Sequence, residues 1–128
     1  MNGRFLLDTN IVIALFRGDR NVQQHLAESD EVFVSSVVLG ELYFGALKSS
    51  RAAVNLANLD EFILACAVLV SDTETARNYG AIKHALQLAG RPIPENDIWV
   101  AAISRQHDLI LITRDDHFQQ VDGLKQET

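Results

Sequence analysis

The sequence predicts an α/β fold: a short, mostly parallel central sheet covered on both faces by helices. Three observations carry this. Short apolar runs alternate with helix-length segments along the whole chain. The strand candidates "FLL", "VFV", "AVLV" and "LILI" are continuously apolar, as strands buried on both faces are. Helix punctuation, chiefly Gly18, Asp19 and Gly90, falls between the segments.

In chain order, "RFLLD" reads as a buried strand. "NIVIALFR" follows as a helix that ends at Gly18, where a residue free of a Cβ can close the last turn. "DRNVQQHLAES" is a more polar helix with Asp19 as its N-cap. "EVFVS" is the second strand, "VVLGELYFGALKS" an apolar helix and "RAAVNLANLDEFILA" an amphipathic one. "AVLV" is the third strand. "SDTETARNYGAIKHALQLAG" opens with a capping box, Ser71-x-x-Glu74, and closes on Gly90. "RPIP" is a rigid loop, "ENDIWVAAISRQH" the last long helix and "LILIT" the fourth strand. "RDDHF" begins a turn, and "VDGL" is read as a short edge strand.

With 128 residues the chain is sized for one domain and one core, so residues 1–128 are expected to fold as a unit. Apolar residues make up 48% and charged residues 22%, an ordinary globular balance. One cysteine, Cys66, excludes an internal disulfide and a thiolate zinc site, and fits a reducing cytoplasm. No apolar run approaches the ~18 residues of a membrane span. Asp8 interrupts the first apolar stretch, which argues against a signal peptide. The net charge of −6 counts against a protein that coats nucleic acid through a basic face. It leaves open an enzyme that grips a phosphate backbone through metal ions, and it suits a basic protein partner.

Four acids sit in apolar surroundings. Asp8 ends the first strand. Glu41 is the only charge in "VVLGELYFGAL", with Val37, Val38, Phe44 and Gly45 as its helical neighbours. Asp97 opens "DIWVAAI". Asp115 follows Thr113 at the end of "LILIT". Each alone has a structural reading: an Asx cap at Asp8, a hidden ion pair at Glu41, a helix-start acid at Asp97, a turn residue at Asp115 or Asp116. Together they point elsewhere. Asp8 and Asp115 both end strands, so a parallel sheet brings them to one edge, where open α/β sheets bind ligands. Asp97 at a helix start and Glu41 on the helix after strand two can reach the same crevice. Two unit charges about 6 Å apart repel by roughly 3 kcal/mol at an effective dielectric near 20. A divalent cation removes that cost, and all-oxygen ligation suits Mg²⁺ or Mn²⁺. Such a site serves phosphodiester chemistry. Thr9, Asn10, Asn96 and Thr113 stand beside the acids and could orient ligands or water.

"LLDTNIVIAL", "VSSVVLGELYFGA", "DIWVAAIS" and "LILITRDDHFQQVDGL" together resemble the PIN-domain ribonucleases, and among them the VapC toxins of bacterial toxin–antitoxin pairs, from about Phe5 to Leu124. The resemblance implies a PIN-like three-layer sandwich with an acidic pocket at the carboxyl edge of its sheet. By motif, Asp8, Glu41 and Asp97 match the three core acids and Asp115 the fourth, as catalytic residues and metal ligands. Thr9, Asn10 and Thr113 match the supporting polar positions. It implies Mg²⁺, with Mn²⁺ able to substitute, and endonucleolytic cutting of RNA by a metal-activated water. It also implies a VapB-like antitoxin whose basic tail enters the pocket, a homodimer, and possible assembly into a larger toxin–antitoxin complex. In place of the polar residue often found just before the Glu-bearing helix, the chain has Ser35 and Ser36, one or two positions early. The doubled acid Asp115-Asp116 leaves two candidates for one role; the Thr113-x-Asp115 spacing favours Asp115 and leaves Asp116 in support.

Three other readings share some of these features. A DNA-directed nuclease of the same type shares the acids, but 128 residues leave little room for added DNA-binding helices. An inactive or regulatory RNA-binding module would be signalled by a missing acid, and all four are present. A receiver domain needs paired acids after strand one and a Lys after the last strand, where this chain has one acid and Arg114. Arg17, Lys48, Lys83, Arg91 and Arg105 are candidates for touching substrate, although for each a solvated helix-face charge is the favoured reading. Ala52, Leu56, Leu59 and Ile63 form a helical stripe that could serve the core or a dimer contact.

Overall fold

A computed structural model describes residues 3–128. The elements run β1 (Arg4–Leu7), α1 (Thr9–Phe16), α2 (Arg20–Ala27), β2 (Glu31–Ser35), α3 (Ser36–Leu47), α4 (Ala52–Leu64), β3 (Ala67–Leu69), α5 (Thr73–Leu88), α6 (Glu95–Gln106), β4 (Ile110–Ile112), a 3-10 turn (Asp116–Gln120) and β5 (Gln126–Glu127). The strands form one sheet in the order β3-β2-β1-β4-β5, and every neighbouring pair is parallel. The α/β expectation therefore holds, with six helices flanking the sheet among the described residues.

β1 is the middle strand, and its apolar run explains why. Phe5, Leu6 and Leu7 are all at most 1% exposed, so they need cover on both faces. Val34 in β2 and Leu111 and Ile112 in β4 flank them with similar burial. α6 packs most deeply of the helices: Ile98, Val100, Ala101, Ala102, Ile103 and Ser104 are all buried. Small residues at 101 and 102 let the helix approach closely, and the Ser104 hydroxyl donates to the Leu109 carbonyl at 3.0 Å. The register sets the functional edge. Leu7 pairs with Ile112, so Asp8 and Thr113 emerge side by side one residue later. No described helix is long and apolar enough to cross a membrane.

Two local expectations are corrected, and the two readings of the α4 stripe are resolved in favour of packing. The capping box of α5 uses Asp72 and Thr75, not Ser71 and Glu74. The Asp72 carboxylate accepts from the Thr75 N–H at 3.0 Å, and the Thr75 hydroxyl accepts from the Asp72 N–H at 3.0 Å. Glu74 turns outward to Arg77 instead. The last strand is Gln126–Glu127, not "VDGL", because Gly123 takes φ +75° and turns the chain before it reaches β4. The stripe on α4 serves the molecule's own packing: Leu59 is 2% exposed, and Leu56 and Ile63 pack partly buried against the core.

Ser35 proves to be the N-cap of α3. It is fully buried, and its Oγ accepts from the Val38 N–H at 3.1 Å. The helix that carries Glu41 thus starts on a side-chain cap at the end of β2. Ser35→Ala strands that buried N–H and is expected to cost about 1 kcal/mol, within a range of roughly 0.5–2. A lowered urea midpoint with an unchanged slope checks this; an unchanged midpoint contradicts it.

Candidate active site

Asp8 is built into the fold before it does anything else. It is 4% exposed at the junction of β1 and α1. Its backbone N–H donates to the Ile112 carbonyl at 3.0 Å, which extends the β1–β4 ladder by one step. Its Oδ1 accepts from the Thr9 N–H at 2.9 Å and so caps α1. Its Oδ2 accepts from the Thr113 hydroxyl at 2.7 Å. Asn10 Nδ2 donates to the same oxygen at 3.4 Å, while Asn10 Oδ1 accepts from the Arg114 N–H at 3.2 Å. Thr9, Asn10 and Thr113 are thus all in contact with the first acid or its neighbours, as expected; Asn96 lies exposed at the start of α6.

The other acids gather around this point. Glu41 projects from α3, and its Oε1 accepts from the Thr9 hydroxyl at 3.2 Å, so Thr9 links two acids through its backbone and its side chain. Asp97 sits in the first turn of α6, where the helix dipole favours a negative charge. Asp115 lies just past β4, and its N–H donates to the Thr113 hydroxyl at 3.0 Å. Thr113 therefore bridges Asp8 and Asp115. The hydrogen bonds that tie the cluster run through Asp115, while Asp116 is exposed and opens the 3-10 turn.

His117 joins the cluster and was not singled out by sequence. Its Nδ1 lies 2.9 Å from Asp97 Oδ2 and 3.0 Å from Asp115 Oδ1. The signal available was weak: a His two residues after an acid in a polar turn has no periodicity to mark it. Of the basic candidates, Lys83 pairs with Glu95 at 3.2 Å, and Arg105 donates to the Asp122 carbonyl at 2.6 Å. Lys48 lies over the Phe44 ring, and Arg91 reaches Gln120. Arg17 alone of the five lines the clefts on either side of α1. The cleft on the Glu41 side, about 380 Å³, runs between α1, α3 and α4 past Ile13, Phe16, Leu42 and Leu59.

The fold and the sequence are similar to those of known proteins. The sequence matches the PIN domain family model over residues 5–124. This chain belongs to the PIN-domain family. Within it the chain is similar to ribonuclease VapC2 of Haemophilus influenzae, at 34% identity over 97% of this chain and 96% of that one. It is as similar, at 34% identity and the same coverage, to the tRNA(fMet)-specific endonuclease VapC of Shigella flexneri. Among solved structures, the DNA-bound VapBC of Salmonella typhimurium superposes with a TM-score of 0.90, at 28% identity over 97% of this chain and 96% of that one.

Electrostatics of this PIN pocket follow from burial and crowding. Burial pushes the Asp8 carboxyl above its ordinary range, against its two hydrogen bonds and with the charge of Asp115. Burial also raises Glu41, helped by the charges of Asp8 and Asp97. Asp97 is raised for the same first reason, with Asp8 and Asp115 adding to it and His117 opposing. His117 is raised chiefly by its hydrogen bond to Asp97. Asp97, Asp115 and His117 each offer one donor atom within 4.8 Å of the others. Crowded carboxylates whose charged forms are disfavoured are the donor set that a divalent cation would relieve, so the residues fit such an ion.

The sign of the pH dependence follows. Asp8, Glu41, Asp97 and His117 all titrate higher folded than unfolded, so each holds more protons in the folded state. Their stabilising protons are fully present below the unfolded values, 3.8 for Asp, 4.5 for Glu and 6.5 for His, and are lost as pH rises through the folded values. Asp19, Asp72 and Asp108 are shifted down from 3.8, so their opposite contribution is complete by about pH 5. In EDTA, urea midpoints are expected to fall steadily from about pH 5 to pH 8. A flat or rising profile contradicts the clustering.

Proposed function

We propose that this chain is the toxin of a toxin–antitoxin pair and acts as an endoribonuclease dependent on Mg²⁺ or Mn²⁺. The observation that carries the reading is the meeting of Asp8, Glu41, Asp97 and Asp115 at the carboxyl edge of a parallel sheet, linked by Thr9, Thr113 and, for Asp97, His117. Asp97 and Asp115, whose donor atoms converge, would hold the cation directly, with Asp8 and Glu41 completing the negative pocket. Bound there, the ion supplies positive charge to a phosphodiester and lowers the pKa of a water. Thr113 and the Thr9 N–H hold the Asp8 carboxylate in one orientation, and the Thr9 hydroxyl does the same for Glu41. Glu41 would accept the proton of the attacking water on the carboxylate oxygen that does not take the Thr9 hydroxyl. Arg17, at the rim, would meet backbone phosphates.

The relatives support RNA as substrate, since both are named as ribonucleases or tRNA endonucleases. The Shigella flexneri name makes initiator tRNA the first substrate to test. The antitoxin is supported by the VapBC neighbours and by the cleft beside Glu41, whose apolar walls and acidic end suit a helix followed by an Arg. A guanidinium fork can bridge two carboxylates at once. The homodimer and a larger assembly remain part of the reading; the exposed apolar residues Phe44, Leu47 and Leu64 support it rather than the buried stripe on α4.

Purified protein is expected to cut initiator tRNA with Mg²⁺ or Mn²⁺ and to stop in EDTA. Asp97→Asn, which keeps the shape and removes the charge, should lose at least about 100-fold in rate, given that even outer-shell changes cost 10–100-fold. Equal cutting in EDTA sinks the metal requirement. Cutting of DNA with RNA left intact selects the DNA-directed alternative, and absence of any cutting by metal-loaded protein selects the inactive module.

A further inference from the structure

His117 differs from the acids around it in chemistry and in how it is held. The imidazole is half exposed, yet its Nδ1 lies between two carboxylates that come from separate elements, Asp97 on α6 and Asp115 beyond β4. Its backbone is fixed locally. The His117 N–H donates to Asp115 Oδ1 at 2.9 Å, and the next residue, Phe118, is fully buried, with its carbonyl accepting from Gln126 Nε2 at 3.0 Å. A group needed only for its positive charge could be a long, flexible Lys. Here a short side chain is anchored on both sides and aims one nitrogen at the point where the two carboxylates converge.

The distances carry the argument further. Two ligands at right angles on a cation with bonds of about 2.1 Å stand about 3.0 Å apart. The separations of Nδ1 from Asp97 Oδ2 and Asp115 Oδ1 are 2.9 and 3.0 Å. The nitrogen therefore already stands at the spacing of adjacent ligands of an octahedral ion from each carboxylate oxygen, and all three residues offer donor atoms within 4.8 Å of one another. A proton shared by the same three atoms gives the same spacing, so the nitrogen can serve either occupant without moving far.

We propose that His117 is a nitrogen ligand to the divalent cation of this pocket, which gives the site a mixed oxygen and nitrogen donor set and a preference for Mn²⁺ and later transition metals over Mg²⁺. The inference rests on the reading of the acids as a metal site. Carboxylates alone accept Mg²⁺ readily, whereas imidazole favours transition ions, whose affinity for nitrogen rises along the first row. Removing the imidazole should therefore weaken Mn²⁺ far more than Mg²⁺, because the oxygen ligands stay.

The test reads the ligand directly. Mn²⁺-loaded protein is examined by pulsed EPR for nitrogen coupling, in the parent, in His117→Ala and in parent grown on ¹⁵N-imidazole histidine. Calorimetry gives Mn²⁺ and Mg²⁺ affinities for the same proteins and for Asp97→Asn. The expected result is ¹⁴N modulation in the parent that changes to a ¹⁵N pattern on labelling and disappears in His117→Ala. Mn²⁺ affinity should fall by about 10–100-fold in that variant, and Mg²⁺ affinity by less than about 3-fold. The labelled parent keeps the test valid even if His117→Ala folds poorly. Mn²⁺ binding that requires Asp97 but shows no nitrogen coupling overturns the proposal and leaves the metal site standing. Failure of the parent to bind Mn²⁺ or Mg²⁺ removes the metal reading itself, and the proposal with it.

Discussion

The Asp8 carboxylate is the constraint on which the rest of the site depends. An ionised carboxylate buried without partners costs several kcal/mol. At 4% exposure Asp8 has that cost reduced by Thr113 and the Thr9 N–H, although burial still outweighs them and holds its carboxyl above the ordinary range. Both are products of the fold: Thr113 arrives through the pairing of Leu7 with Ile112, and Thr9 through the start of α1. One side chain thus ties the central strand, its neighbour and the first helix together. The cap reading of Asp8 holds, and its two hydrogen bonds also fix the carboxylate in the orientation that a pocket role requires.

Around that fixed point the fold accumulates charge that it does not neutralise internally. Glu41 and Asp97 come from different helices, and burial, together with neighbouring acids, raises both. The nearest cationic partner is the half-exposed His117, at the solvent side of the cluster. The salt bridges of Lys83, Lys125 and Arg4 lie with other acids on the surface, and Arg114 is paired with Asp19. Such a layout works against stability and for ligand binding. A structural ion-pair network would have placed an Arg or Lys among Asp8, Glu41, Asp97 and Asp115.

The strands and the acid pocket were legible because each broke or kept a strong pattern. The runs 5–7 in β1, 32–34 in β2 and 110–112 in β4 are continuously apolar, and Glu41 is conspicuous as the single charge on an apolar helix. Other features had no such contrast. Ser71-x-x-Glu74 and Asp72-x-x-Thr75 both satisfy a capping pattern, and only the backbone at Asp72, extended just before the helix, decides between them. β5 is two polar residues whose strand character comes entirely from pairing with Leu111 and Ile112. His117 was hidden because its role depends on Asp97, 20 residues away in sequence and 2.9 Å away in space. Ser35 was legible as a residue type but not as a cap, since its fit depends on where β2 ends.

The central claim is that four acids from separate elements form one charged pocket whose repulsion a divalent cation relieves. Thermal unfolding of the parent and of Asp97→Asn at pH 7, each in EDTA and each in excess Mg²⁺, tests this most directly. Removing one charge relieves repulsion while losing the contact to an exposed His117, so in EDTA the variant is expected to melt no lower than the parent. Mg²⁺ should raise the melting temperature of the parent by mass action and that of the variant far less. A marked drop for Asp97→Asn in EDTA, together with no rise of the parent in Mg²⁺, would show that the acids are ordinary caps and turn residues and not one site.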